Sequence, residues 1–328
     1  MSERPSLLHR LGEAGASATS LQGGIPRWQR ILMAVMVVVV LVALGLAISS
    51  QWSKLPDIRW RLRPGWLAAA IVALVAFQWL HARLWVALLH SLGSPIPTLR
   101  GVAVWSVTLL GRYVPTNVAL AAGRMALAER EGVPKRVCAA SLAYELAFTF
   151  AGAAILGAYF VITLPDLRDV PARWLVLALP AITLTLLDPA IFHRLADLAL
   201  SRLGRATLPI SLSRRQVAGY TLLFTASFLV AGFAVFALAE ALHGVPAGDA
   251  GTAIGAYSVG FAASVMAFVL PGGLGAREGA MTAALSPILP VTVALAVAVA
   301  VRLAQMGIEV LYAVVTPLLA RRAGTPVE

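Results

Sequence analysis

The stretch VAGYTLLFTASFLVAGFAVFALAEAL, residues 217–242, holds a single charged side chain, Glu240, close to its end. About 20 predominantly apolar residues in a helix cross the ~30 Å hydrocarbon layer of a bilayer, so this stretch predicts a membrane span. Runs of the same kind at 31–49, 66–90, 137–162, 173–188 and 292–319 predict five more. The whole 328-residue chain agrees, with 59% apolar and 12% charged residues and a mean hydropathy of +0.84. Such a composition suits a bilayer and excludes an ordinary water-soluble domain. No strand-length alternation recurs with turn signals, which argues against a β-barrel. The fold class is all-α, a polytopic integral membrane protein.

The apolar runs extend to residue 320 without a long polar interruption, so 31–320 reads as one membrane domain. Residues 1–30, rich in Ser, Gly and Ala, form an expected disordered cytoplasmic tail, and 321–328 an expected cytoplasmic C-terminal tail. Ile31–Ile48 lies too late and runs too long for a secretory signal, and is read as an uncleaved first helix. The lone Cys138 excludes a disulfide framework or a cysteine-rich metal site.

Lys and Arg in short loops mark the cytoplasmic side. Arg4, Arg10, Arg27 and Arg30, the cluster Arg130, Lys135 and Arg136, the connection from Arg194 to Arg215, and Arg321–Arg322 fall on one side if two further apolar regions return to the side they entered. Lys54, Arg59, Arg61 and Arg63 are the exception, and Trp52, Trp60 and Trp66 would anchor such a segment at the interface. The net charge of +11 is what loops facing anionic lipid require, and no nucleic-acid partner is implied. The location is the cell inner membrane.

Those two regions, roughly 100–129 and 251–290, are broken in the middle. The first reads Gly111-Arg112-Tyr113-Val114-Pro115-Thr116-Asn117-Val118-Ala119 and then Gly123-Arg124. The second reads Val269-Leu270-Pro271-Gly272-Gly273-Leu274-Gly275-Ala276-Arg277-Glu278. Each has an apolar approach, a Pro, turn-permissive residues and a following Arg. Trp105-Ser106-Val107 precedes the first break as Tyr257-Ser258-Val259 precedes the second. The expectation is a pair of re-entrant helices forming an inverted repeat, with half-helix N-termini directed at a polar cavity that suits an anion. Ordinary extramembrane loops are the bland alternative.

A charge near the bilayer centre costs at least ~2.5–3.5 kcal/mol and therefore signals a site. Glu145 lies inside one span; Arg302, Gln305 and Glu309 share a helical face of the last. With Arg112, Arg124, Arg277 and Glu278, and with Pro271, Gly272 and Gly273 at the break, they form the candidate substrate-binding set. Guanidinium groups suit a phosphate. A structural ion-pair network, for example Glu145 with Arg302, is the other reading of the same charges. His81 and Arg83 are expected to snorkel at the end of their span, and Glu240 and His243 to mark a span end.

The Gly-Arg-Tyr-Val-Pro unit with Gly123-Arg124, the Leu-Pro-Gly-Gly-Leu-Gly-Ala-Arg-Glu unit and an Arg in the last span resemble the membrane domain of the lysylphosphatidylglycerol synthase/flippase family, over roughly residues 30–320. The resemblance implies a lipid-translocating domain moving a phospholipid or polyprenyl-linked lipid between leaflets. Two departures stand out: Thr116-Asn117-Val118-Ala119 replaces a glycine-rich stretch, and Glu145 stands where the family often has an arginine. A chain ending at Glu328 is expected to lack the soluble aminoacyl-transferase domain.

The favoured function is a flippase-like transporter of an anionic phospholipid or polyprenyl-phosphate-linked lipid, without catalysis, cofactor or metal. No Walker-type loop points to ATP. The alternatives are a membrane transferase or hydrolase on a lipid-linked substrate, or a non-transporting scaffold of envelope-lipid synthesis. For the enzyme, the outer-loop acids are Asp57, Asp166 and Asp169, and no Ser-His-Asp or HExxH pattern occurs. A homo-oligomer and an envelope-biosynthesis partner stay open.

Overall fold

The computed structural model describes residues 62–113, 118–163, 173–202, 212–267 and 275–323, all helix, turn or connection without a strand. The expected span at 31–49 and the candidate site residues Pro271, Gly272 and Gly273, like Pro115, lie outside the described residues. The helices are α1 (Pro64–Ser91), α2 (Thr98–Leu109), α3 (Val118–Arg130), α4 (Lys135–Thr163), α5 (Arg173–Leu186), α6 (Pro189–Arg202), α7 (Arg214–Leu242), α8 (Ala250–Met266), α9 (Ala276–Leu285) and α10 (Val291–Ala323).

Four of them, α1, α4, α7 and α10, are long and apolar enough to cross a membrane. They contain the stretches expected at 66–90, 137–162, 217–242 and 292–319. The expected span at 173–188 differs. Its helix α5 has 14 residues, about 21 Å at 1.5 Å per residue, and α6 leaves it at 81°. Asp188 stands at that corner and accepts a hydrogen bond from Ala190 N (3.0 Å), so the helix is stopped and restarted by capping. Hydropathy alone does not register a corner of this kind.

α1 and α7 are the antiparallel centre of the fold. At one end Arg63 N donates to Ala241 O (2.9 Å), and at the other Ser91 Oγ lies 2.8 Å from Tyr220 OH. Small residues allow close helix approach, as membrane bundles require. A Cβ on Gly232 of α7 would lie 2.3 Å from Ile254 O of α8, and one on Gly152 of α4 would lie 3.1 Å from the Phe224 backbone of α7. Aromatic rings fill the space around these contacts: Phe228 meets Phe77, Tyr257 and Phe261 edge-on at centroid distances of 6.5, 5.8 and 5.1 Å. The outward faces stay apolar; α5 buries none of its side chains, and Trp174, Leu175 and Leu222 are exposed.

The two broken regions fold as helical hairpins. α2 has 12 residues and α3 has 13, about 18 and 20 Å, too short for a ~30 Å layer. Arg100 at the start of α2 pairs with Glu131 just after α3 (3.4 Å), so the outer ends of the two helices meet. In the second region, a Cβ on Gly260 of α8 would lie 3.1 Å from Met281 Cε and 3.2 Å from Arg277 O, which sets α9 back along α8. Gly275 opens α9 at φ +83°, a left-handed conformation that side chains rarely adopt.

The hairpins open at opposite ends of α1 and α7. α2 follows the Ser91 end of α1, whereas α8 follows the Leu242 end of α7, and α4 meets α8 there through Tyr159 and Phe160 against Gly251 and Gly255.

Candidate functional site

A cavity of about 550 Å³ lies among α1, α2, α3, α4, α7, α8, α9 and α10. Arg112, Arg124, Glu145, Arg277 and Arg302 line it, five of the residues expected from the sequence. Glu278 and Glu309 stand behind that wall as partners of lining arginines. Pro271, Gly272 and Gly273 lie outside the described residues.

Each charge is positioned by local structure. Arg124, 1% exposed on α3, donates from Nε to Thr108 Oγ1 of α2 (3.0 Å) and from Nη1 to Glu145 of α4. Its guanidinium lies over Trp85 and Trp105, at 5.2 and 5.6 Å from the ring centroids. Trp105 Nε1 also donates to Glu145 Oε1 (2.7 Å), so this carboxylate is held by two donors. Arg112, in the 3₁₀ turn Leu110–Tyr113 at the end of α2, donates to Glu309 Oε1 (2.9 Å), a fully buried carboxylate of α10.

The second hairpin holds its arginine differently. Arg277 of α9 is 4% exposed, donates from Nη2 to the neutral Gln305 Oε1 of α10 (2.8 Å) and lies over the Tyr257 ring at 4.8 Å. Glu278 accepts from Gly275 N (2.7 Å), which caps α9, and faces Arg302 Nε at 3.6 Å. The expected Glu145–Arg302 pairing is thus replaced by Arg124–Glu145 and Glu278–Arg302. Arg124 wins Glu145 because the hairpin carries it back beside α4, a contact that separation in sequence does not reveal.

Across the two halves the arrangement matches. The ring of Trp105 or Tyr257, before each break, underlies the arginine after it, and a side chain of the following long helix, Glu145 or Gln305, accepts from that arginine.

His81 also departs from expectation. It is buried, lies 2.8 Å from Ser227 Oγ through Nε2, and lines the cavity among Phe77, Trp105 and Phe228. Arg83, on the opposite face of α1, is exposed beside Trp79. Snorkelling was expected from position along the helix, but α1 runs on to Ser91, so His81 stands within the bundle. Gln78 is a further lining residue, 1% exposed. His81 and Gln78 are three apart and so share a face of the largely apolar α1. Glu240 marks the end of α7 as expected, paired with Arg63 (2.6 Å) and accepting from Val245 N (3.0 Å).

What such a cavity can do is hold an anion: four guanidinium groups line it, and that of Arg277 is held by a neutral amide, not by a carboxylate. Among the described residues no cluster of His, Cys, Asp or Glu could hold a metal ion. Among known protein families, the model described as the lysylphosphatidylglycerol synthase TM region matches residues 31–312. No curated protein and no solved structure matches the chain.

Proposed function

The chain belongs to the family of the lysylphosphatidylglycerol synthase TM region, and from that premise we propose that it carries an anionic phospholipid or polyprenyl-phosphate-linked lipid between leaflets without covalent chemistry. The carrying observation is the cavity itself, about 550 Å³ lined by four arginines and reached by two helical hairpins, none of whose helices reaches ~30 Å. In this reading the hairpins are re-entrant and inverted copies, entering from opposite faces. A lipid phosphate sits between Arg124 and Arg277 while its tails stay in hydrocarbon, and the carboxylate partners let go and retake the arginines as the headgroup passes.

The orientation follows from charge. Arg100, Arg130, Lys135, Arg136, Arg214 and Arg215 belong to helix ends joined by the Arg100–Glu131, Lys135–Glu129 and Ser91–Tyr220 contacts, and in this reading the positive-inside rule assigns that end to the cytoplasm. Arg63, at the other end, is offset by Glu240.

Reconstitution tests the proposal. Vesicles holding the protein should exchange a tail-labelled anionic lipid between leaflets faster than empty vesicles, and Arg277→Ala and Arg124→Ala should each slow that exchange. Failure to exchange any anionic or polyprenyl-phosphate lipid would remove transport; undiminished rates in both variants would remove this site.

A further inference from the structure

We infer that the lipid carried here has a headgroup that is uncharged beyond its phosphate and bears hydroxyls, so that polyol or sugar phospholipids are accepted and aminoacylated or choline-type lipids are not. This rests on the transport reading above and adds the chemistry of the headgroup.

Charge supplies the first half. Arg112 faces Glu309, Arg124 faces Glu145 and Arg302 faces Glu278, which leaves Arg277, whose partners are a neutral amide and a ring face. Among the described residues the cavity therefore carries one positive charge more than it carries negative. A phosphodiester with one negative charge balances it. An ammonium group on the same lipid would then need a carboxylate, and all three already face an arginine. The two electron-rich rings nearest the arginines, Trp105 and Tyr257, are already covered by Arg124 and Arg277, which leaves only the weaker Phe faces of the lining. Burying an uncompensated charge is costly, so zwitterionic and cationic headgroups are discriminated against.

Gln78 supplies the second half. Its side chain lines the cavity, is 1% exposed, and its amide nitrogen has no partner among the described residues. A buried donor left unmade costs free energy, so the position is one that a ligand hydroxyl would complete. The terminal torsion of Gln is broad, so the amide can turn either atom to the ligand. The cavity's volume accommodates a glycerol or single-sugar headgroup beside the phosphate.

The test uses the full chain in vesicles with lipids of identical labelled tails: phosphatidylglycerol, phosphatidylmethanol, phosphatidylcholine and lysyl-phosphatidylglycerol. Phosphatidylglycerol should exchange at least about tenfold faster than the choline and lysyl lipids. Gln305→Glu, which places a carboxylate on Arg277, should collapse that ratio toward one. Phosphatidylglycerol should also outrun phosphatidylmethanol, equal in charge but without hydroxyls, and Gln78→Leu should erase that preference. Lysyl-phosphatidylglycerol moving as fast as phosphatidylglycerol overturns the inference while leaving transport intact. A hydroxyl preference that survives Gln78→Leu overturns the part given to Gln78. If no lipid exchanges, transport fails, and binding of the same four lipids to the purified protein decides the headgroup: equal affinities overturn it, and tighter phosphatidylglycerol binding lost in Gln305→Glu supports it.

Discussion

Replacing Glu145 by Gln isolates the charge that holds Arg124 in place. The substitution keeps size and keeps an acceptor for Trp105 Nε1, now 2.7 Å from Glu145 Oε1, so that hydrogen bond survives. What disappears is the negative charge opposite Arg124, whose side chain is 2% exposed while that of Glu145 is 13% exposed. Breaking a buried ion pair from one side costs about 3–5 kcal/mol, because the partner remains buried and uncompensated. The slight exposure of Glu145 places this pair at the lower end, about 3 kcal/mol. Adding Arg124→Met removes the stranded charge and fills its space, while Thr108 Oγ1 still donates to Val104 O (2.8 Å). The double variant should recover at least about 2 kcal/mol relative to Glu145→Gln alone. Reversible unfolding in mixed micelles measures both. A Glu145→Gln protein within about 0.5 kcal/mol of the parent, or a double variant no more stable than the single, would refute the assignment of this pair.

Other substitutions probe separate parts of the fold. Gly232→Leu should prevent α7 and α8 from closing, since even a Cβ falls 2.3 Å from Ile254 O, and a loss above about 3 kcal/mol is expected in the same unfolding measurement. Gly275→Ala meets no neighbouring atom but must hold φ +83°, so a loss of about 1–2 kcal/mol should arise from the backbone alone. Arg63→Ala should cost less than about 1 kcal/mol because the arginine is 41% exposed, whereas Glu240→Ala should cost more, since Val245 N also loses its acceptor. Cys138, the sole cysteine and fully buried, should resist maleimide in the folded protein and react as the protein unfolds; rapid labelling under native conditions would contradict the packing of α4.

The long helices were legible because bilayer thickness converts directly into a run of apolar residues: α1 spans 64–91 where hydropathy marks 66–90. The breaks were legible because Pro and Gly interrupt such a run, and the arginines after them because charge is rare in an apolar stretch. Pairing was not legible. Periodicity assigns Arg302, Gln305 and Glu309 to one face of α10, but which carboxylate meets which guanidinium depends on how far each hairpin folds back. Glu145 therefore meets Arg124 across the first hairpin, and Arg302 meets Glu278 across the second. The corner at Leu187–Asp188 escaped for a related reason, since a capping carboxylate redirects a helix without lowering the apolarity around it. His81 and Gln78 escaped because two polar residues in a long apolar helix carry a weak signal until other helices close around them.

Transport of this kind requires a lipid phosphate to leave the interface and enter the cavity between the hairpins. A density map of the protein in a bilayer of anionic lipid would locate that phosphate. The expected result is a phosphate within hydrogen-bond distance, about 3 Å, of the Arg277 guanidinium, with its tails leading out between helices. Lipid phosphates confined to the two bilayer surfaces, with the cavity holding water alone, would contradict it.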